Sequence, residues 1–470
     1  MGILQNILSE LNTFLYSNIL IILLVAAGIY FTIRTRFVQF RMLPEGIRLL
    51  SEKAHNEDGV TSFQALMIST ASRVGTGNIA GVATALAAGG AGSIFWMWVI
   101  ALIGGASAFV ESTLAQVYKE QDGDVFRGGP AYYIEKALRK RWLGIIFAIL
   151  LIACFTFGFN GLQAYNVSSS LAYYFEDTQL AAMLTGALLA IATALVIFGG
   201  VHRIGIISST IVPIMAVLYI LLGLYITLTN ITALPGIFQS ILKEAFDFQA
   251  ITGGFAGSCV MYGIKRGLFS NEAGMGSAPN AGATADVSHP VKQGLVQTIS
   301  VFIDTILICS TTAFMLLNFN NEAGLTGMPY VQMAVQSEVG NFGIHFITIS
   351  IILFAFSSLI GNYCYAESNL KFIINSKTSL LIFRLVSVAV IFFGAQANFS
   401  TIWDLADVLM GFMAILNIVV ILILGKVAMK CLKDYTDQKK QGKDPLFDPE
   451  QVGIEHAEFW KVIDEEYKEE

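Results

Sequence analysis

Two stretches of this 470-residue chain set charges and hydroxyls among glycines where the surrounding sequence is apolar. The first reads Thr70-Ala-Ser-Arg-Val-Gly-Thr-Gly-Asn78, the second Gly267-Leu-Phe-Ser-Asn-Glu-Ala-Gly-Met-Gly-Ser277. Glycine costs a helix about 1 kcal/mol relative to alanine, and each stretch joins it to Ser, Thr or Asn and to a charge, Arg73 or Glu272. Small residues alone would also suit close helix packing, but packing does not call for Arg73 and Glu272 beside the glycines. The pattern therefore predicts helices that unwind in mid-course, which backbone does at membrane depth only where it lines a cavity or is buried in protein. The chemistry on offer is that of the backbone. A helix restarting near Thr76, Gly77 and Asn78 presents N–H groups and the positive end of its dipole, a fit for a carboxylate. The preceding half-helix, ending about Ala71 to Val74, leaves carbonyl oxygens that suit Na⁺ or an ammonium. An anion site beside a cation site matches a zwitterionic amino acid coupled to a small cation.

The elements that carry these stretches follow from composition. The chain is 55% hydrophobic and 13% charged, with a mean hydropathy of +0.66; soluble chains carry roughly 25% charge. An ordinary soluble enzyme and a disordered scaffold are excluded, and 28 Lys and Arg against 34 Asp and Glu leave no basic face for nucleic acid. Roughly 20 apolar residues cross a bilayer, and eleven stretches qualify: 15–33, 62–88, 92–118, 142–172, 180–199, 205–229, 250–282, 293–318, 342–371, 378–395 and 402–429. The first lacks the basic flank and small-residue site of a cleavable signal. Residues 34–53 hold five Lys or Arg and residues 119–141 six. With Arg203, Lys292, the three at 371, 377 and 384, and eight after 425, all of these fall on one side of eleven crossings, while the opposite loops keep Lys243. The positive-inside rule then puts the N-terminus outside and the tail in the cytoplasm of a multi-pass plasma-membrane protein. That tail, 431–470, reads as a solvated, mixed-charge appendage.

Gly75 and Gly274 lie 199 residues apart. Setting aside the first crossing leaves ten, with a break in the first and another in the sixth. An odd number separates them, so the second half is expected to be inverted relative to the first, as in secondary transporters that bind substrate at the midplane between broken helices. The expected fold class is an all-α polytopic membrane protein. Its parts are an extra N-terminal transmembrane helix (1–40), a first inverted repeat (61–230), a second (250–430) and the tail (431–470).

At these residues the chain also resembles a known family. Gly75-Thr-Gly-Asn-Ile-Ala-Gly-Val-Ala83, Phe95-Trp-Met-Trp98, Gly128-Gly-Pro130 and Lys265-Arg-Gly-Leu-Phe-Ser-Asn-Glu-Ala-Gly-Met-Gly-Ser-Ala-Pro279 resemble the alanine or glycine:cation symporters, over about residues 10 to 430. The resemblance implies the leucine-transporter (LeuT) fold of the amino acid-polyamine-organocation superfamily, five helices repeated inverted after one extra helix. It further implies Na⁺-driven import of alanine or glycine by alternating access. Position by position, it implies that Thr76 and Gly77 bind the substrate carboxylate, Phe269 closes over the substrate, and Ser270 and Asn271 lie near its amine. Phe159-Asn-Gly-Leu-Gln-Ala164 makes Gln163 a pocket candidate, although Tyr165 stands where relatives often have Asn. Phe354-Ala-Phe-Ser-Ser-Leu-Ile-Gly-Asn362 implies Na⁺ held by the hydroxyls of Ser357 and Ser358 and by carbonyls of Ala71, Val74 and Phe354, with Ser358 also at the substrate. Asn362 stands where some relatives carry Trp, and an amide there enlarges and polarises the pocket. Glutamine, with Na⁺ or a proton as coupling ion, is thus the alternative cargo.

Charges inside the membrane mark function by default: Arg73, Glu111, Lys265, Arg266, Glu272, Asp304, Glu367, Asp404 and Asp407. Lys265 and Arg266 are expected to neutralise Glu272, Asp304 or a half-helix end, and Glu367, Asp404 and Asp407 to sit near the membrane surface. No GxSG or HExxH motif appears, the five histidines are scattered, and the five cysteines form no CxxC pair. An enzyme is not expected, nor any cofactor beyond Na⁺ as coupling ion; no TVGYG-like filter marks a channel.

Overall fold

Apolar runs in hydrocarbon must satisfy their own backbone hydrogen bonds, and this chain does so almost wholly with helices. The computed structural model describes residues 2–54, 59–123, 125–247, 254 and 258–460. In chain order the principal helices are α1 (Ile3–Arg34), α2 (Ser62–Arg73), α3 (Gly77–Gly89), α4 (Gly92–Val117), α5 (Arg141–Tyr174), α6 (Thr178–Ile197), α7 (Arg203–Thr229), α8 (Cys259–Asn271), α9 (Pro290–Leu317), α10 (Asn341–Ile373), α11 (Lys377–Gly394) and α12 (Phe399–Lys440). Among the described residues, nine of these are long and apolar enough to cross a membrane. The exceptions are α2, α3 and α8, which fall in the two stretches read as broken crossings. The start of the expected crossing at 250–282 lies outside the described residues, save Gly254 and those from Ser258 on.

Both breaks have a local cause. α2 opens on a capping box in which the Thr61 hydroxyl accepts the Gln64 N–H and the Gln64 side chain accepts the Thr61 N–H. It stops at Val74, whose ψ of 89° is incompatible with a helix, and the chain restarts at Gly77 with a wide π-type turn, Gly77–Gly81. α8 stops where Glu272 takes a left-handed φ of 55°. Gly274 (φ 83°) and Gly276 (φ 86°) follow in backbone that side chains disfavour, then a single helical turn, Pro279–Gly282.

α4 is the central post, packed against α1, α8 and α9 and buried along its second half. Gly361 lets α10 lie directly on α2: a Cβ there would stand 2.8 Å from the Ser72 nitrogen, one turn before the break.

A buried ion cluster ties α1, α8 and α12 together. Asp407 forms 2.7 Å ion pairs with both Lys265 and Arg266. Lys265 also donates to Asn12 Oδ1 (2.8 Å), and Asn12 donates to Asp404 (2.7 Å). The expected partners of these cations, Glu272 and Asp304, are thus replaced by a carboxylate from another helix. Asp407, expected near the membrane surface, is fully buried within the protein, where it faces both cations, 141 and 142 positions earlier in the chain.

The tail also departs from expectation. Up to residue 460 it is docked, not solvated: Phe447, Ile454, Ala457 and Trp460 are buried. The Phe447 N–H donates to the Ser288 carbonyl (3.0 Å) and Trp460 Nε1 to the Gln116 carbonyl (3.0 Å). Lys119 Nζ lies over the Phe126, Phe459 and Trp460 rings. Apolar residues spaced through a charged sequence supply the contact face. Residues 461–470 lie outside the described ones.

Asp407→Asn leaves two buried cations without a counter-charge, and removing one member of a buried pair costs about 3–5 kcal/mol. The variant should melt well below the parent in detergent; an unchanged melting curve would show that the cluster carries no stability.

Candidate functional site

The two breaks face each other across a small set of side chains, and each has its freed backbone groups held by polar residues. At the first, the Thr76 N–H donates to Gln163 Oε1 on α5 at 3.0 Å, and the Gly75 N–H donates to Asn78 Oδ1 at 2.9 Å. At the second, Glu111 on α4 accepts the N–H groups of Gly274 and Gly276, both at 3.1 Å. Asn417 on α12 donates to Glu111 (2.8 Å) and to the Gly274 carbonyl (2.9 Å), while its own oxygen accepts the Tyr133 hydroxyl. An unpaired backbone group in hydrocarbon costs several kcal/mol, so these contacts are what allow the helices to stay open.

Of the residues expected at the substrate, Thr76, Gly77, Gln163, Phe269 and Ser358 come together. A Cβ on Gly77 would lie 2.7 Å from the Phe269 ring, and one on Gly75 would strike the Ser358 hydroxyl. Phe269 is 4% exposed, wedged between Phe159 (centroids 4.7 Å) and Trp403 (5.3 Å). Trp403 lies in turn under the Arg266 guanidinium, 4.2 Å from its ring centre. The ion cluster of the fold thereby sets the position of the ring that covers Gly77.

Other expected residues are placed differently. Ser270 turns toward α9, donating to Asp304 at 2.5 Å and accepting from Asn78 at 3.0 Å. Asn271 Oδ1 accepts the Ala273 N–H (3.0 Å) and so shapes the turn after α8. Asn362 accepts from the Ser72 hydroxyl (2.6 Å) and donates to Asn160 (2.9 Å), a polar chain linking α2, α10 and α5. Of the expected ion ligands, the Ser358 hydroxyl lies 3.5 Å from the Val74 carbonyl. Ser357 donates to the Phe354 carbonyl of its own helix at 2.9 Å, and Ala71 is buried on α2.

Four of the intramembrane charges, Arg73, Glu111, Glu272 and Asp304, lie around the breaks. Arg73 is 2% exposed and donates to the Gln297 carbonyl at 3.4 Å. Glu272 accepts from Ser277 (2.5 Å) and, more distantly, from Ser72 (3.4 Å). Asp304 accepts from Asn78 (2.6 Å), Ser270 and Thr305 (2.9 Å). Five contributors escaped the sequence reading: Asn160, Ser72, Trp403, Asn417 and the Asn78 side chain. Asn417 had a readable signal, a lone amide in the apolar run Ile415-Leu-Asn-Ile-Val-Val420. Among the described residues no group of three or more His, Cys, Asp or Glu is arranged to hold a metal ion.

Glu111→Leu removes the acceptor for two backbone N–H groups and one amide, each worth about 1–3 kcal/mol when left buried and unpaired. It should lower the melting temperature strongly, and Glu111→Gln, which keeps one carbonyl oxygen, should do so less; equal melting of all three proteins would sink the staple role.

A profile of the sodium:alanine symporter family matches residues 1–449. The amino-acid carrier protein AlsT of Bacillus subtilis is 49% identical over 440 residues, covering 93% of this chain and 94% of that one. The probable sodium/glutamine symporter GlnT of the same organism is 48% identical over 467 residues, covering 98% and 97%. The sodium/alanine symporter AgcS of Methanococcus maripaludis is 38% identical over 448 residues, covering 93% and 98%. The matched residues run from α1 through both breaks to the end of α12, and the chain belongs to the sodium:alanine symporter family.

Proposed function

We propose that the protein is a Na⁺-coupled symporter that imports a small neutral amino acid, alanine or glycine, by alternating access. Family membership supports the class of activity. The observation that carries the site is the approach of the Phe269 ring to the backbone at Gly77, which leaves room for hydrogen there and nothing larger. In this reading the amino-acid carboxylate takes the place of Gln163 Oε1 as acceptor for the Thr76 N–H. The restarting helix adds its dipole, and Phe269 closes over the bound molecule. Na⁺ sits where the Ser358 hydroxyl approaches the Val74 carbonyl, with Ala71, Phe354 and Ser357 as its further oxygen ligands. The ten-helix inverted-repeat core, residues 61–230 and 250–430 behind an extra helix at 1–40, belongs to the same proposal. So does the orientation, N-terminus outside and tail in the cytoplasm, supported by the one-sided distribution of Lys and Arg.

Glutamine is the second reading. GlnT is as similar as AlsT, and the Ser72–Asn362–Asn160 chain offers amide partners where alanine needs none.

Purified protein in liposomes, given labelled alanine, glycine and glutamine with an inward gradient of Na⁺, of H⁺ or of neither, tests the assignment. Uphill alanine or glycine uptake only with Na⁺ is expected. Glutamine uptake would shift the cargo to the second reading, and no gradient-driven uptake of any of the three would refute both. Gly77→Val should insert and fold yet take up nothing above background, since its branched side chain meets Phe269; normal uptake would disprove the site. Ser358→Ala should raise the Na⁺ concentration for half-maximal uptake on the order of tenfold, about 1.4 kcal/mol of ion binding. An unaltered Na⁺ dependence would remove Ser358 from the ion site, and the same measurement on Ser357→Ala decides whether its hydroxyl leaves Phe354 to bind the ion.

A further inference from the structure

Where α1 leaves its apolar span, the chain turns sharply through two residues in left-handed backbone, Arg36 (φ 55°) and Phe37 (φ 58°), into the short helix Val38–Arg41. Beside this turn runs the far end of α12. At 1.5 Å per residue its 42 residues extend about 63 Å, twice the roughly 30 Å hydrocarbon core, so its last turns stand clear of the membrane. Between the two lies a cleft of about 370 Å³ whose lining includes Arg34, Arg36, Arg41, Lys433 and Lys440. The one carboxylate in the lining, Asp437, is paired with Lys440 at 3.0 Å. Arg41 folds back over the turn, its guanidinium donating at 3.4 Å to the carbonyls of Thr35 and Arg36. Among the described residues, Arg34, Arg36 and Lys433 have no carboxylate within ion-pairing distance, and all three are exposed.

We propose that this cleft binds the phosphate of an anionic phospholipid headgroup. A concentration of uncompensated positive charge stays open only if water or an anion occupies it, and Arg and Lys together suit phosphate oxygens. Two observations favour a lipid over a soluble phosphate. The cleft opens at the level where the apolar span of α1 ends, and Ile33, Phe37 and Phe40 beside it are 61%, 54% and 45% exposed, a surface for acyl chains next to the charges. Met429 and Leu432 add apolar lining to its inner wall. Basic pockets between helices at the membrane surface recognise anionic headgroups in this way, each cation contributing about fivefold in affinity. The site is remote from both breaks and does not rest on the transport reading.

The test measures lipid retention by native mass spectrometry on delipidated protein given phosphatidylglycerol or phosphatidylcholine, with inorganic phosphate as competitor. Phosphatidylglycerol should be held at least tenfold more tightly than phosphatidylcholine. The triple substitution Arg34→Gln, Arg36→Gln, Lys433→Gln should weaken that binding on the order of a hundredfold. Equal retention of the two lipids, or undiminished binding by the triple variant, would overturn the proposal. Displacement of the lipid by millimolar inorganic phosphate would also overturn it, making this a soluble-anion site. Should the triple variant fold poorly, the single Lys433→Glu, on the exposed face of α12, should still cost on the order of tenfold, and no loss from a well-folded Lys433→Glu protein is an equally decisive failure.

Discussion

Backbone that unwinds inside a membrane protein must still find partners for its N–H and C=O groups, and the rest of this structure is organised around that requirement. Two helices open, and side chains take up backbone N–H groups that they release. Gln163 and Asn78 take the N–H groups of Thr76 and Gly75; Glu111 takes those of Gly274 and Gly276, with Asn417 bridging to the neighbouring carbonyl. The carboxylate of Glu111 does more than a neutral acceptor would, since charged acceptors bind roughly twice as strongly as neutral ones. Its burial is made tolerable by these donors. An intramembrane charge that reads as a functional mark is here first a structural staple.

The second consequence is mechanical. Asp407 holds Arg266, Arg266 lies over Trp403, Trp403 packs on Phe269, and Phe269 covers Gly77. Four contacts thus connect α12 to the heart of the first break through the end of the second. α1 joins the same assembly through Asn12, Asp404 and Lys265. The N-terminal helix is therefore tied, through the ion cluster, to the same α8 segment whose Phe269 covers Gly77.

On the opposite side of the charge inventory, the arrangement around Asp304 shows how polar groups are shared between the breaks. Asn78 from the restarting helix and Ser270 from α8 both donate to this one carboxylate on α9. It binds the two broken segments to one helix that is itself continuous, which keeps their separation defined while each remains locally irregular.

The approximate positions of both breaks are legible in the sequence. Glycine joined to Ser, Thr or Asn and to Arg73 or Glu272 weakens a helix at those points, and the structure stops α2 at Val74 and α8 at Glu272. The packing of Phe269 on Gly77 is not legible there: the family resemblance implies only that Phe269 closes over the substrate, and the two residues, 192 positions apart, meet only in the fold. What the sequence could not reveal was pairing across distance. Lys265 and Arg266 have nearby carboxylates in sequence, Glu272 above all, yet their partner is Asp407, more than a hundred residues away. Local spacing describes faces and interruptions; it holds no record of which remote helix is brought alongside. The docked tail has the same origin. Its charges suit solvent, and only the groove formed by Gln116, Lys119 and Ser288 together turns Phe447 and Trp460 inward. Tertiary structure alone decided these contacts, since the burial of a charge or an indole depends on neighbours that the chain assembles only when folded.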